Sequence, residues 1–110
     1  MMEDKLRGML GIAYRAGHLV PGAEMGLKLI REGKAGLAIL DSDAGANTQK
    51  KIRDACNHYQ IQVILISAGI LGDACGRPGM AAAAMKPGGL ADQLMMMSAQ
   101  ENPRILRQMQ

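Results

Sequence analysis

Few side chains in this chain of 110 residues are suited to covalent, acid–base or metal chemistry. The histidines are His18 and His58, and neither has a Ser, Cys or carboxylate at a recognisable motif spacing. Cys56 and Cys75 lie far apart and have no His or Cys at zinc-ligand spacing, so neither a metal site nor a disulfide framework is indicated. Asp41 and Asp43 could hold a cation or act as acid and base. Between a strand and a helix, however, such residues more often close a loop by accepting hydrogen bonds from backbone amides. Gly69, Gly72, Gly76 and Gly79 suggest a phosphate-cradling loop, but their order matches neither the dinucleotide fingerprint nor the P-loop, and helix ends and tight turns account for them. No catalytic residue, metal ligand or cofactor is expected.

Two other groupings suit binding better than chemistry. Gly22 opens a helix whose first turn holds Ala23, Glu24 and Met25 and whose next turn carries Lys28. A helix start offers unpaired backbone amides, and a lysine one turn on adds a mobile positive charge, a combination that suits phosphates and base edges. Gly76-Arg77-Pro78-Gly79 is a second exposed loop, from which Arg77 could reach a phosphate or stack on a base.

The elements that must position these groups follow from hydrophobic periodicity. Leu6, Met9, Leu10 and Ala13 mark an amphipathic helix over Asp4 to Ala16, followed by the extended piece His18 to Gly22. Ala23, Leu27 and Ile30 share a face of the second helix, which Gly33 ends. Leu37 to Leu40 reads as a strand buried on both faces and closed by Asp41-Ser42-Asp43. Asn47 is the expected N-cap of a helix with Thr48, Ile52, Ala55, Cys56 and Tyr59 on its inner stripe and Lys50, Lys51 and Arg53 outside it. Ile61 to Ile66 is a second strand, and Gly69 to Cys75 a short helix. Met80 to Met85 favours helix by alanine content but follows a strand–helix pair, so it is read as a strand. Leu90 to Met97 is the last helix, in which Met95-Met96-Met97 reads as core with one exposed neighbour. This alternation predicts an α/β fold with helices on both faces of a small mixed, largely parallel sheet. One domain is expected over residues 4–97, with a short tail over 98–110 set off by Asn102-Pro103.

Composition agrees with a single core of unusual texture. Phe and Trp are absent, there are 2 Tyr and 10 Met, and hydrophobic residues make up 48% of the chain. Leu, Ile, Val, Met and Ala must therefore fill the interior. The net charge of +3 is a mild balance that says little about a nucleic-acid partner by itself. No window reaches the roughly 18 apolar residues of a membrane span, and the expectation is a reduced, cytoplasmic protein with no membrane partner.

Three stretches together resemble a known family. They are Gly11-Ile12-Ala13-Tyr14-Arg15-Ala16-Gly17-His18-Leu19-Val20-Pro21-Gly22; Asp43-Ala44 with Asn47-Thr48-Gln49-Lys50-Lys51-Ile52; and Leu71-Gly72-Asp73-Ala74-Cys75-Gly76 followed by alanines. In this order and spacing, over about residues 4–95, they are similar to the kink-turn RNA-binding ribosomal proteins of the L-seven-Ae and L-thirty-e type, especially small bacterial members of the YlxQ and YbxF type. The resemblance implies a three-layer α/β/α sandwich, with Met80 to Met85 as the strand after the last binding loop. It also implies that RNA is held by the start of the second helix and by that loop, and that Lys28 contacts the RNA backbone. Two departures stand out. Strong kink-turn binders carry an Asn-Glu pair, reading sheared G·A pairs, where this chain has Glu24-Met25, and Arg77-Pro78-Gly79 replaces an apolar-acidic-apolar loop.

The expected function is non-catalytic binding of structured RNA, kink-turn-like or resembling ribosomal RNA, in company with ribosomal or other ribonucleoprotein components. The expected contacts are Gly22, Ala23, Glu24, Met25 and Lys28 from one helix end and Arg77, Pro78, Gly79 and Met80 from the facing loop, with Lys50, Lys51 and Arg53 adding general attraction. The leading alternative is a protein-interaction module of the same fold that has lost specific RNA readout, consistent with the altered pair and the Met-rich last helix. A small-molecule or nucleotide enzyme using Asp41, Asp43 and the glycine-rich loop ranks third.

Overall fold

The computed structural model describes residues 2–100 and 106–107, with side chains described for 4–97. The elements in chain order are α1 (Met2–Arg15), β1 (Leu19–Pro21), α2 (Ala23–Arg31), β2 (Leu37–Asp41), α3 (Ala46–Tyr59), β3 (Gln62–Ile66), α4 (Ile70–Cys75), β4 (Ala82–Met85), α5 (Gly89–Gln100) and β5 (Leu106–Arg107). They build a sheet of order β1-β4-β2-β3-β5 between two helical layers. Leu6, Leu10 and Ala13 of α1 pack with Ile70 and Leu71 of α4 and Ala91 and Leu94 of α5 on one face of the sheet. On the other, Leu29 and Ile30 of α2 meet Ile52, Ala55 and Cys56 of α3. The α/β/α sandwich is therefore formed as expected, and Met80 to Met85 does supply a strand.

The sheet is mixed, but the expectation that it is largely parallel needs correction. Among the described residues only β2 and β3 pair in parallel; β1–β4, β2–β4 and β3–β5 are antiparallel. β2 and β3 run in one direction, as the alternation implied, and β1, read from the sequence only as an extended piece, runs the same way. Alternation failed at β4 because α4 has six residues, about 9 Å of helix, against about 17 Å for a five-residue strand. So short a helix cannot carry the chain back along the sheet. The chain re-enters at the end where β3 left it, and β4 runs down between β1 and β2.

Two features of α3 also depart from expectation. Its N-cap is Gly45, which makes no side-chain cap hydrogen bond, so Asn47 lies inside the first turn and does not cap it. Tyr59, placed on the inner stripe, is 40% exposed. It is the last helical residue before Gln60 adopts a left-handed conformation, and its ring packs edge-on against His58 instead of the core. The methionine run behaves as read: Met97 is buried, Met95 half-buried and Met96 exposed.

Small residues let α2 lie close on the sheet. Ala82, Ala83 and Ala84 of β4 are fully buried. A Cβ added at Gly26 would stand 3.3 Å from the Ala84 backbone nitrogen, already tight contact. The start of α2 is thereby pinned beside the start of β4, and with it the loop that precedes β4.

Candidate functional site

The register of β1 with β4 brings the two sequence-predicted groupings together. Pro21 stands opposite Ala83, so α2 begins where the loop of residues 76–81 enters β4. The junction is tied by the Gly22 N–H, which donates to Ala82 O at 2.9 Å. Gly22 has φ +95°, a conformation that L side chains rarely adopt, and it gives α2 no side-chain cap. The first bond of the helix runs from the Gly26 N–H to Gly22 O, leaving the amides of Ala23, Glu24 and Met25 ahead of the intrahelical ladder. Glu24, Met25 and Lys28 are exposed, and Met25 is 54% exposed despite its apolar side chain.

The facing loop is held as tightly. The Arg77 N–H donates to Gly72 O at 2.9 Å and the Met80 N–H to Arg77 O at 3.2 Å. A Cβ at Gly72 would fall 2.8 Å from Arg77 O, so the loop folds back onto α4 only because that residue is glycine. Arg77, Pro78 and Gly79 are exposed, whereas Met80 is buried and anchors the loop in the core with α1 and α4. The Arg77 guanidinium lies over the Tyr14 ring of α1, 5.8 Å from its centroid. The loop's one cation is thus steadied by an aromatic face that sequence spacing could not connect to it.

Lys50 and Lys51 are exposed on α3, which packs beside α2, but they sit on a separate helix from the Gly22 junction. Lys50 is partly committed, since its Nζ donates to Asp54 Oδ2 at 2.7 Å, and that bond raises its pKa. Arg53 is half-buried and engaged, so it does not project freely from the helix.

The Asp41 carboxylate serves as a backbone clip, to which Asp43 contributes its main-chain N–H. Asp41 is 7% exposed. One of its carboxylate oxygens accepts from the Asp43 N–H at 2.7 Å and the other from the Gly69 N–H at 2.9 Å. The carboxylate clips the end of β2 to the start of α4 and has both oxygens occupied. A cleft of about 450 Å³ opens above it, lined mainly by Gly and Ala of the surrounding loops. Among the described residues no cluster of three or more His, Cys, Asp or Glu could hold a metal ion, and no helix is long and apolar enough to cross a membrane.

Both cysteines are buried and unpaired. Burial pushes the Cys56 thiol up to about 12 and also raises Cys75, against a smaller pull downward from Arg77.

Residues 4–94 match the family model described as the Ribosomal protein L7Ae/L30e/S12e/Gadd45 family. The chain belongs to this family. Its relatives include proteins called RNA-binding protein YlxQ. That of Bacillus subtilis is 35% identical over 88 residues, which is 79% of this chain and 88% of the relative. That of Enterococcus faecium is 36% identical over 59 residues, 54% of this chain and 57% of the relative. Among solved structures, a Bacillus halodurans protein of unknown function is 36% identical with a TM-score of 0.77, covering 83% of this chain and 93% of its own. The Giardia lamblia 15.5kD RNA binding protein shares the fold at 19% identity and a TM-score of 0.62, over 84% of this chain and 79% of its own.

Proposed function

We propose that this protein binds structured, kink-turn-like RNA without catalysis, as a component of the ribosome or of another ribonucleoprotein. The observation that carries this reading is the Gly22 N–H to Ala82 O bond, which joins the open first turn of α2 to the 76–81 loop in one surface. That surface offers backbone amides, the exposed Lys28 and the tethered Arg77. These are groups that hold phosphates and unstacked bases. The names of the YlxQ relatives point the same way.

Base-edge readout at the helix start is weaker here than an Asn-Glu pair would allow. The Met25 thioether is a poor acceptor and Glu24 has no amide donor. Recognition then rests on RNA shape and backbone, with a modest preference for the kinked form. An electrophoretic titration against a kink-turn, a kink-turn with its G·A pairs replaced, and a plain duplex tests this. The expected order of affinity is kink-turn, altered kink-turn, duplex, with a log–log salt slope of roughly −1.5 to −3.5 from two to four phosphate contacts. No binding to any of the three at low salt would overturn the proposal and favour a protein partner.

A further inference from the structure

The geometry points to a second, unassigned contact surface, a lysine-walled groove along the β1 edge of the sheet that takes RNA phosphodiester backbone leaving the α2 site. The groove has a volume of about 300 Å³ and is lined by Val20, Met25, Lys28, Leu29, Glu32, Lys34 and Lys86. Its floor is apolar and its rim carries three lysines against one glutamate. Met25 and Lys28 belong both to this groove and to the helix start described above, so the two surfaces are continuous.

Three lysines from separate parts of the chain meet here for a definite reason. Lys28 comes from the second turn of α2, on the same side as Met25 and Glu32. Lys86 follows the last residue of β4, and its N–H donates to His18 O at 2.9 Å, which fixes it beside the start of β1. Lys34 lies in the turn after α2, where the Gly36 N–H donates to Met85 O at 2.7 Å. A Cβ at Gly36 would fall 2.8 Å from Pro87 Cα. Glycine there lets the 34–36 turn press against the 85–87 turn, and this puts Lys34 and Lys86 on one wall.

Charge compensation inside the groove is incomplete. Lys34 reaches Glu32 at 3.8 Å, both side chains being well exposed, a pairing that water and salt screen. Among the described residues Lys28 and Lys86 have no ion-pair partner. The strand beside them is a sheet edge of three residues, so no neighbouring strand covers the groove. An extended polyanion suits such a surface. Lysine heads neutralise successive phosphates, while the apolar floor formed by Val20, Met25 and Leu29 accepts sugar or base faces.

This inference rests on the proposed RNA site, and the test separates the two. Affinity for the kink-turn RNA is measured as a function of salt for the unaltered protein and for the double variant Lys34→Gln/Lys86→Gln, with circular dichroism confirming that both are folded. Both lysines are exposed, so the substitution should leave the fold intact. With four phosphate contacts in the unaltered protein, two of them from this groove, loss of those two should flatten the log–log slope by about 1.4 to 1.8 and leave the remainder to the α2 site. Binding with an unchanged slope would overturn the groove and leave the α2 site standing. Absence of binding by the unaltered protein would overturn both.

Discussion

Two junctions at the same end of the sheet are built on opposite principles. At the end of β2 the Asp41 carboxylate takes hydrogen bonds from two backbone amides and is withdrawn from solvent. At the end of β1 a glycine with positive φ starts a helix with no side-chain cap, and the following amides, Met25 and Lys28 stay open. The first junction uses its polar groups to hold the chain together. The second leaves them for something else. A charged residue in a loop is thus a poor guide to function until its partners are known, whereas an uncapped helix start beside a tethered loop is available surface.

The largest effect should come from the closed junction. Asp41→Ala removes two part-buried hydrogen bonds from the backbone amides of Asp43 and Gly69 to a charged acceptor, each worth about 1–2 kcal/mol net because water can reach the freed amides. Chemical denaturation should therefore register a loss of about 2–4 kcal/mol, while the folded fraction keeps its RNA affinity. If Asp41→Ala leaves stability intact but abolishes binding, the two junctions have been assigned the wrong way round.

The open junction should respond to restored base-edge chemistry. Glu24→Asn with Met25→Glu supplies an amide and a carboxylate where the strong kink-turn binders carry them. Each well-placed base-edge pair is worth about 1–3 kcal/mol of discrimination in duplex readout, so preference for a kink-turn over a plain duplex should rise about tenfold or more. Stability should hardly change, since both side chains are exposed and a carboxylate suits the first turn of a helix. An unchanged preference would mean that Arg77-Pro78-Gly79 already prevents kink-turn docking.

The smallest structural effects belong to single cations. Lys28→Ala and Arg77→Ala should each weaken RNA binding several-fold while shifting stability by less than about 0.5 kcal/mol for such exposed positions. Arg77→Ala also removes the contact with Tyr14. A melting point well below the parent for that variant alone would make the contact structural.

How much of this was legible in the sequence depended on range. Elements with strong local periodicity, such as α1 with Leu6, Leu10 and Ala13, or the uninterrupted β2, were readable because a few neighbouring residues set them. The helix start at Gly22 was readable for the same reason. Long-range pairings were not. The carboxylate of Asp41 meets an amide 28 residues away, Arg77 meets Tyr14 of a helix far earlier in the chain, and Lys86 joins Lys34 through a glycine contact that no local pattern marks. The one available hint was Asp41-Ser42-Asp43 at a strand end, which favoured a loop-closing role over catalysis. Strand direction at β4 was missed because alternation implies a crossover, and only the shortness of α4 argues otherwise.

The division between the two junctions can be tested residue by residue by mapping amide chemical shifts as a kink-turn RNA is added to the isotopically labelled protein. The largest changes are expected at Gly22 to Lys28 and at Gly76 to Met80, with the amides of Asp43 and Gly69 little affected while they stay bonded to Asp41. Changes centred on Asp43 and Gly69, or on the outer faces of α1 and α5, with Gly22 to Lys28 silent, would contradict that division.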